Sequence, residues 1–146
     1  MPGPAFTIEN RVGRLIEARV RGLRSSEEAD VYSLSLGAEV LRIPLHVRPV
    51  LLADHRPVSI YPQPAADRLA ELFLRMNARL ERVAILVARS NATLALQLER
   101  IVREAANPSR RVCYAPGEAE AHLAPILEPQ ELARVRAFLE EHPART

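Results

Sequence analysis

The chain has 146 residues, 48% of them hydrophobic, which suits one folded domain and excludes a disordered chain. Its 20 basic and 18 acidic residues nearly cancel to a net charge of +2, so charge gives no case for nucleic acid as a partner. All the basic residues apart from His are Arg; with no Lys there is no Schiff-base amine and no Walker-type phosphate lysine.

Phe6, Ile8 and then Leu15–Val20 read as two strands around a turn at Asn10–Gly13. In the second, Ile16, Ala18 and Val20 alternate with Glu17, Arg19 and Arg21, which predicts a hairpin with one wet face. Ser25 and Glu28 have capping-box spacing. Ala29, Tyr32, Leu36, Val40 and Ile43 then follow at helical intervals up to Pro44. Leu34 and Leu41 fall off that stripe and suggest cover on a second side of the helix. Pro49–Asp54 is an apolar run without alternation, typical of a parallel strand buried on both faces. Pro57, Pro62 and Pro64 make the next stretch a loop. A helix from about Pro64 to Leu80 carries Ala65, Leu69, Leu72, Phe73, Met76 and Leu80 on one face.

Arg82–Ala88 repeats the buried-strand pattern. Asn91 can cap a helix with stripe Leu94, Leu98, Ile101, Val102 and Ala105, ended by Asn107–Pro108. Arg111–Tyr114 is a last short strand. Pro116 opens a helix with Ala119, Leu123, Ile126 and Leu127, and Pro129 opens a final one with Leu132, Val135, Phe138 and Leu139. His142–Thr146 reads as a frayed tail. The alternation predicts an α/β fold: a small, mostly parallel sheet of about five strands, an N-terminal antiparallel hairpin, and helices packed on it.

Val50–Ala53 and Val83–Val87 are then side by side, pointing the same way. In open parallel sheets ligands sit beyond the carboxyl ends of the strands, where two loops qualify. The first, Asp54–Pro62, gathers Asp54, His55, Arg56, Ser59 and Tyr61. Asp54 with His55 could form half of a catalytic pair, although neighbours on an extended chain point apart. The simpler expectation is that Asp54 accepts backbone N–H bonds while His55 and Arg56 lie in solvent. The second loop offers Arg89, Ser90, Asn91 and Thr93 at a helix N-terminus, where an anion could bind or the polar residues could simply cap.

No glycine-rich phosphate loop is present, and no cofactor is implied. His46, His55, His122 and His142 lack the paired spacing of metal ligands. Cys113 sits mid-strand, where burial is expected. As the single cysteine it cannot close an internal disulfide, which suits a reducing, cytoplasmic compartment. Met1–Phe6 lacks a signal-peptide pattern, and the apolar run Val83–Ala88 falls far short of the roughly 20 residues that span a membrane.

The opening pair Phe6–Val20, the helix after it, and the strands Leu51–Arg56 and Arg82–Val87 together resemble the STAS domain and its SpoIIAA-like relatives, the anti-sigma-factor antagonists. The resemblance covers roughly residues 5–127, with a C-terminal helix at about 129–141 as an extension or a split last helix. It implies a single domain over 1–146, acting as a non-enzymatic, regulatory protein-interaction module of bacterial type with a protein partner or a homodimer. In such antagonists a phosphorylatable Ser lies in an Asp-Ser-Ser-Gly motif. The matching stretch here, Asp54–Pro64, lacks that motif, and Ser59 is its only Ser. Two alternatives stand beside this reading. One is a domain for a small anionic or lipid ligand, using the two helix starts with Arg56 or Arg89. The other is a small hydrolase or transferase built on Asp54, His55 and Ser59.

Overall fold

The computed structural model describes residues 4–141. The tail His142–Thr146 and the first three residues lie outside that range. Strands Phe6–Val12 (β1) and Leu15–Val20 (β2) pair antiparallel, Phe6 against Val20 and Ile8 against Ala18. The turn is tighter than the expected Asn10–Gly13. β1 runs on to Val12, with an irregularity between Glu9 and Val12, and only Gly13–Arg14 turn the chain. Asn10 holds this turn from inside the strand: its side-chain amide donates to the carbonyls of Gly13 and Leu15 at 3.0 and 2.7 Å. Gly13 has φ +55°, a left-handed conformation that suits glycine.

The chain then alternates: helix Ser26–Arg42 (α1), strand Val50–Asp54 (β3), helix Gln63–Met76 (α2), strand Arg82–Leu86 (β4), helix Ala92–Ala105 (α3) and strand Arg110–Cys113 (β5). Helix Pro116–Leu123 (α4) and helix Pro129–Glu140 (α5) complete it. The capping of α1 follows the sequence signal, with the Ser25 hydroxyl accepting the Glu28 N–H at 3.2 Å. Two helices are shorter than their apolar patterns suggest. α2 stops at Met76, leaving Leu80 buried in the following turn, and α4 stops at Leu123, where Ala124–Ile126 tighten into a 3-10 turn around Pro125.

The sheet order is β1-β2-β3-β4-β5, with β2 through β5 parallel. Leu51 pairs with Val83 and Ala53 with Ile85, so the two apolar runs lie side by side in the expected direction. A strand order that never reverses has a consequence for the helices. Right-handed crossovers all moving the same way place α1, α2 and α3 on one face. That face holds the larger core, where Ile16, Leu51, Ala53, Val83 and Ile85 meet Tyr32, Leu36, Leu69, Leu72, Leu94 and Leu98. The other face would be bare without α4 and α5. They bury Leu15, Val50, Leu52, Ala84 and Leu86 beneath Ala119, Leu123, Val135, Phe138 and Leu139. This corrects the expected wet face of the hairpin, because α5 lies over it and leaves Glu17 only 3% exposed. Among the described residues, no helix is long and apolar enough to cross a membrane.

Candidate functional site

Asp54 ends β3 and His55 follows it, and their side chains point to opposite faces, as adjacent residues of an extended chain must. Asp54 faces the α4/α5 side and is fully buried. One carboxylate oxygen accepts the Arg56 N–H at 3.0 Å and its Nε at 2.9 Å, and the other accepts an Nη2 hydrogen at 3.0 Å. The loop therefore folds back so that Arg56 neutralises Asp54 in place. Arg56 also donates to the Leu139 carbonyl of α5 at 3.4 Å. The expectation that Arg56 lies in solvent is corrected: a buried carboxylate requires a partner and draws the guanidinium inward.

His55 is likewise not in solvent. It is 2% exposed, and its N–H donates to the Leu86 carbonyl at 2.7 Å, extending the β3–β4 ladder by one rung. Its Nδ1 shares a 2.6 Å hydrogen bond with the Tyr61 hydroxyl, itself buried. Burial pushes the imidazole down to about 4, outweighing the opposing pull of Asp54, so the ring is neutral at ordinary pH. Burial also raises the Tyr61 hydroxyl well above its usual range, with Tyr32 adding to the effect. The pair is thus a neutral, sealed contact. The cavity beside it offers about 10 Å³, room for roughly one water and none for an acyl chain.

The second loop packs on the first. Asn91 caps α3 by accepting the Leu94 N–H at 3.0 Å, and its amide donates to the carbonyls of Val58 and Ser59 at 3.1 and 2.8 Å. Gln97, which the sequence gave no reason to single out, grips Tyr61 at both ends of its peptide, accepting its N–H at 3.0 Å and donating to its carbonyl at 2.8 Å. The candidate residues thus divide. Asp54 joins Arg56, His55 joins Tyr61, and Asn91 joins the backbone at Ser59, whereas Ser59, Arg89, Ser90 and Thr93 remain exposed without being gathered into one cleft. The strand order explains this. A crevice between loops opens where the order of parallel strands reverses and successive loops part to opposite faces. Here the loops after β3 and β4 turn to the same face and close on each other.

A charged cluster that the sequence did not reveal lies under the end of α5. Glu17 accepts from Arg134 at 2.9 Å, and Arg134 also meets Glu141 at 3.0 Å. Arg19 stacks on the Phe138 ring at 4.2 Å and donates to the carbonyls of Phe138 and Glu141 at 3.1 and 2.7 Å. Burial raises the Glu17 carboxyl although Arg134 pulls it back. Arg19 satisfies carbonyls that the helix end leaves open, while Arg134 bridges the carboxylates of Glu17 and Glu141. The cluster is a clamp for α5, and each member is spoken for.

At the opposite end of the strands an open depression of about 480 Å³ lies between the hairpin turn, the end of α1 and the start of α5. Its Arg14 is engaged by Glu81 at 2.5 Å and by the carbonyls of Arg48 and Ile126. Cys113 is fully buried as expected, and burial pushes its thiol up to about 11, far from reactive thiolate character. Among the described residues no three His, Cys, Asp or Glu side chains are placed to share a metal ion.

The largest departure from a sealed, solvated surface is on α1. Val31, Leu34 and Leu41 are 53%, 75% and 77% exposed, and Leu45 just past the helix is 81% exposed. Leu34 and Leu41 are the residues that fell off the core stripe in the sequence, and the expected cover on that side is corrected: among the described residues nothing covers them. Comparison with family models, with curated proteins and with solved structures found no match for this chain.

Proposed function

We propose that this chain is a non-enzymatic regulatory module of the STAS/SpoIIAA type that works in the cytoplasm by binding protein through the outer face of α1. The observation that carries the reading is the exposed row Val31, Leu34 and Leu41, opposite the buried stripe Ala29, Tyr32, Leu36 and Val40, with Leu45 exposed just beyond the helix. Several large aliphatic side chains on one helix face lose favourable burial free energy unless something covers them. Such patches mark contact surfaces. The antiparallel opening pair, the helix after it and the parallel strand-helix units support the family likeness. The closed loops after β3 and β4 favour it over a ligand site or a hydrolase built on Asp54, His55 and Ser59.

The test is affinity capture of the tagged chain from the cells that express it, followed by reconstitution of the recovered partner with the purified chain. The reading expects binding that weakens at least tenfold in Leu34→Glu/Leu41→Glu and is unchanged in Ser59→Ala and Arg89→Ala. Binding that survives the α1 change but is lost in either loop variant would place the working surface at the strand ends instead. Failure of the purified chain to bind any protein, itself included, would remove the reading.

A further inference from the structure

We infer that the occupant of the exposed α1 face is a second copy of this chain, packed antiparallel about a two-fold axis between Leu34 and Ala38. This rests on the reading of the chain as an interaction module and names its partner.

The exposed row on α1 runs Val31, Leu34, Ala38 and Leu41, at intervals of three, four and three residues, with Ala38 also exposed. That is the seam spacing of paired helices. The row reads the same in reverse. When α1 meets a copy of itself running the other way, Val31 falls opposite Leu41 and Leu34 opposite Ala38. A large side chain then faces a small one in the central layers, and the backbones can approach. Gly37 adds to this, since a Cβ placed there would meet nothing within 4 Å. One self-complementary patch used twice is what a closed two-fold contact requires.

Charge selects the direction. The first turn of α1 carries Glu27 and Glu28 and its last turn carries Arg42, which meets Glu39 of its own helix at 3.5 Å but stays largely exposed. Running antiparallel sets the acidic turn of each copy near the basic turn of the other and opposes the helix dipoles. Running parallel stacks Glu27 and Glu28 against their own copies. Leu45 prolongs the apolar row beyond the helix, beside the partner's first turn.

The deciding experiment is sedimentation velocity on the full chain from about 1 to several hundred micromolar. The expected result is a concentration-dependent species of twice the 16.3 kDa protomer mass. Leu34→Glu/Leu41→Glu should weaken the association at least tenfold, and circular dichroism should show the variant folded, since both positions face outward. Leu96→Glu, at an exposed leucine on α3, should leave the dimer intact. Glu27→Arg should weaken it, and adding Arg42→Glu should restore it. A chain that stays at protomer mass throughout overturns the second-copy inference while leaving a different protein as partner, which capture and reconstitution test separately. A dimer indifferent to the Leu34 and Leu41 changes also overturns it, and so does a charge reversal that the second change fails to rescue.

Discussion

Asp54, His55 and Arg56 are consecutive, yet each has its own physical fate. The Asp54 side chain is fully buried, and Arg56 is its bidentate partner at 2.9 and 3.0 Å. Removing one member of such a pair strands a charge. Arg56→Ala is therefore expected to cost about 3–5 kcal/mol in urea unfolding, and Asp54→Asn in the same chain to recover part of it. A loss below about 1 kcal/mol would mean that solvent reaches the carboxylate.

His55 gives a pH signature whose sign follows from its pKa of about 4 in the folded chain, against 6.5 as the ordinary value. Between those values the unfolded chain binds a proton that the folded chain refuses. The His55 contribution is thus fully present above about pH 6.5 and declines as pH falls toward 4, by on the order of 1 kcal/mol per pH unit. Glu17, whose carboxyl is raised, works in the opposite sense, its penalty easing as it is protonated at low pH. Unfolding measured from pH 7 to 4.5 should fall less steeply in His55→Gln than in the parent. Equal slopes would show that the ring titrates freely.

At the scale of elements, helix ends are held largely by arginine. Arg79 donates to the Val40 and Ile43 carbonyls at the end of α1, at 3.3 and 3.4 Å. Arg110 reaches Phe73 in α2 at 3.2 Å and lies over its ring at 4.5 Å, while Arg82 reaches His122 in α4 at 2.8 Å. Arginine, which supplies every basic side chain here apart from His, has a structural use at these ends: a planar fork can bind a carbonyl and stack at once. Arg110→Lys should cost about 1–2 kcal/mol in thermal or urea unfolding through loss of that stacking and one bond. No measurable change would show the stacking to be incidental.

The start of α5 is docked in a different way. The Glu131 carboxylate accepts the Arg14 N–H at 2.9 Å and the Glu128 N–H at 2.8 Å, so the hairpin turn and the helix cap share one group. A Cβ on Gly13 would sit 2.2 Å from a Glu131 oxygen, and φ there is +55°. Gly13→Ala should cost about 2 kcal/mol or more, through left-handed strain together with displacement of Glu131. An unfolding midpoint unchanged from the parent would contradict that docking.

At the scale of the whole molecule, element order was legible because buried parallel strands and amphipathic helices each leave a strong local pattern. Val50–Asp54 and Arg82–Leu86 are apolar throughout or nearly so, and the stripe of α3 is regular. What was not legible is non-local. Nothing near Glu17 announces Arg134, more than a hundred residues away, so the second face of the hairpin read as wet when α5 covers it. Nothing near Tyr61 announces Gln97. The candidate loop was found by its residue types, but whether it opened depended on strand order, which no local sequence pattern displays. The α1 row was visible as two leucines out of phase; only the fold shows that no described residue covers them.

If the outer face of α1 meets a second copy of the chain, as inferred above, the two helices must run antiparallel about residue 36. Pulsed and continuous-wave electron spin resonance on the full chain, with a nitroxide on one introduced cysteine at a time, tests it most directly; Cys113 is buried and stays unlabelled. For antiparallel helices centred near residue 36, a label at Ser35→Cys should show dipolar broadening at about 10 Å, the separation of packed helices. A label at Glu27→Cys should give about 30 Å, from the 1.5 Å rise per residue. Short distances at both positions, or no intermolecular coupling at either, would contradict it.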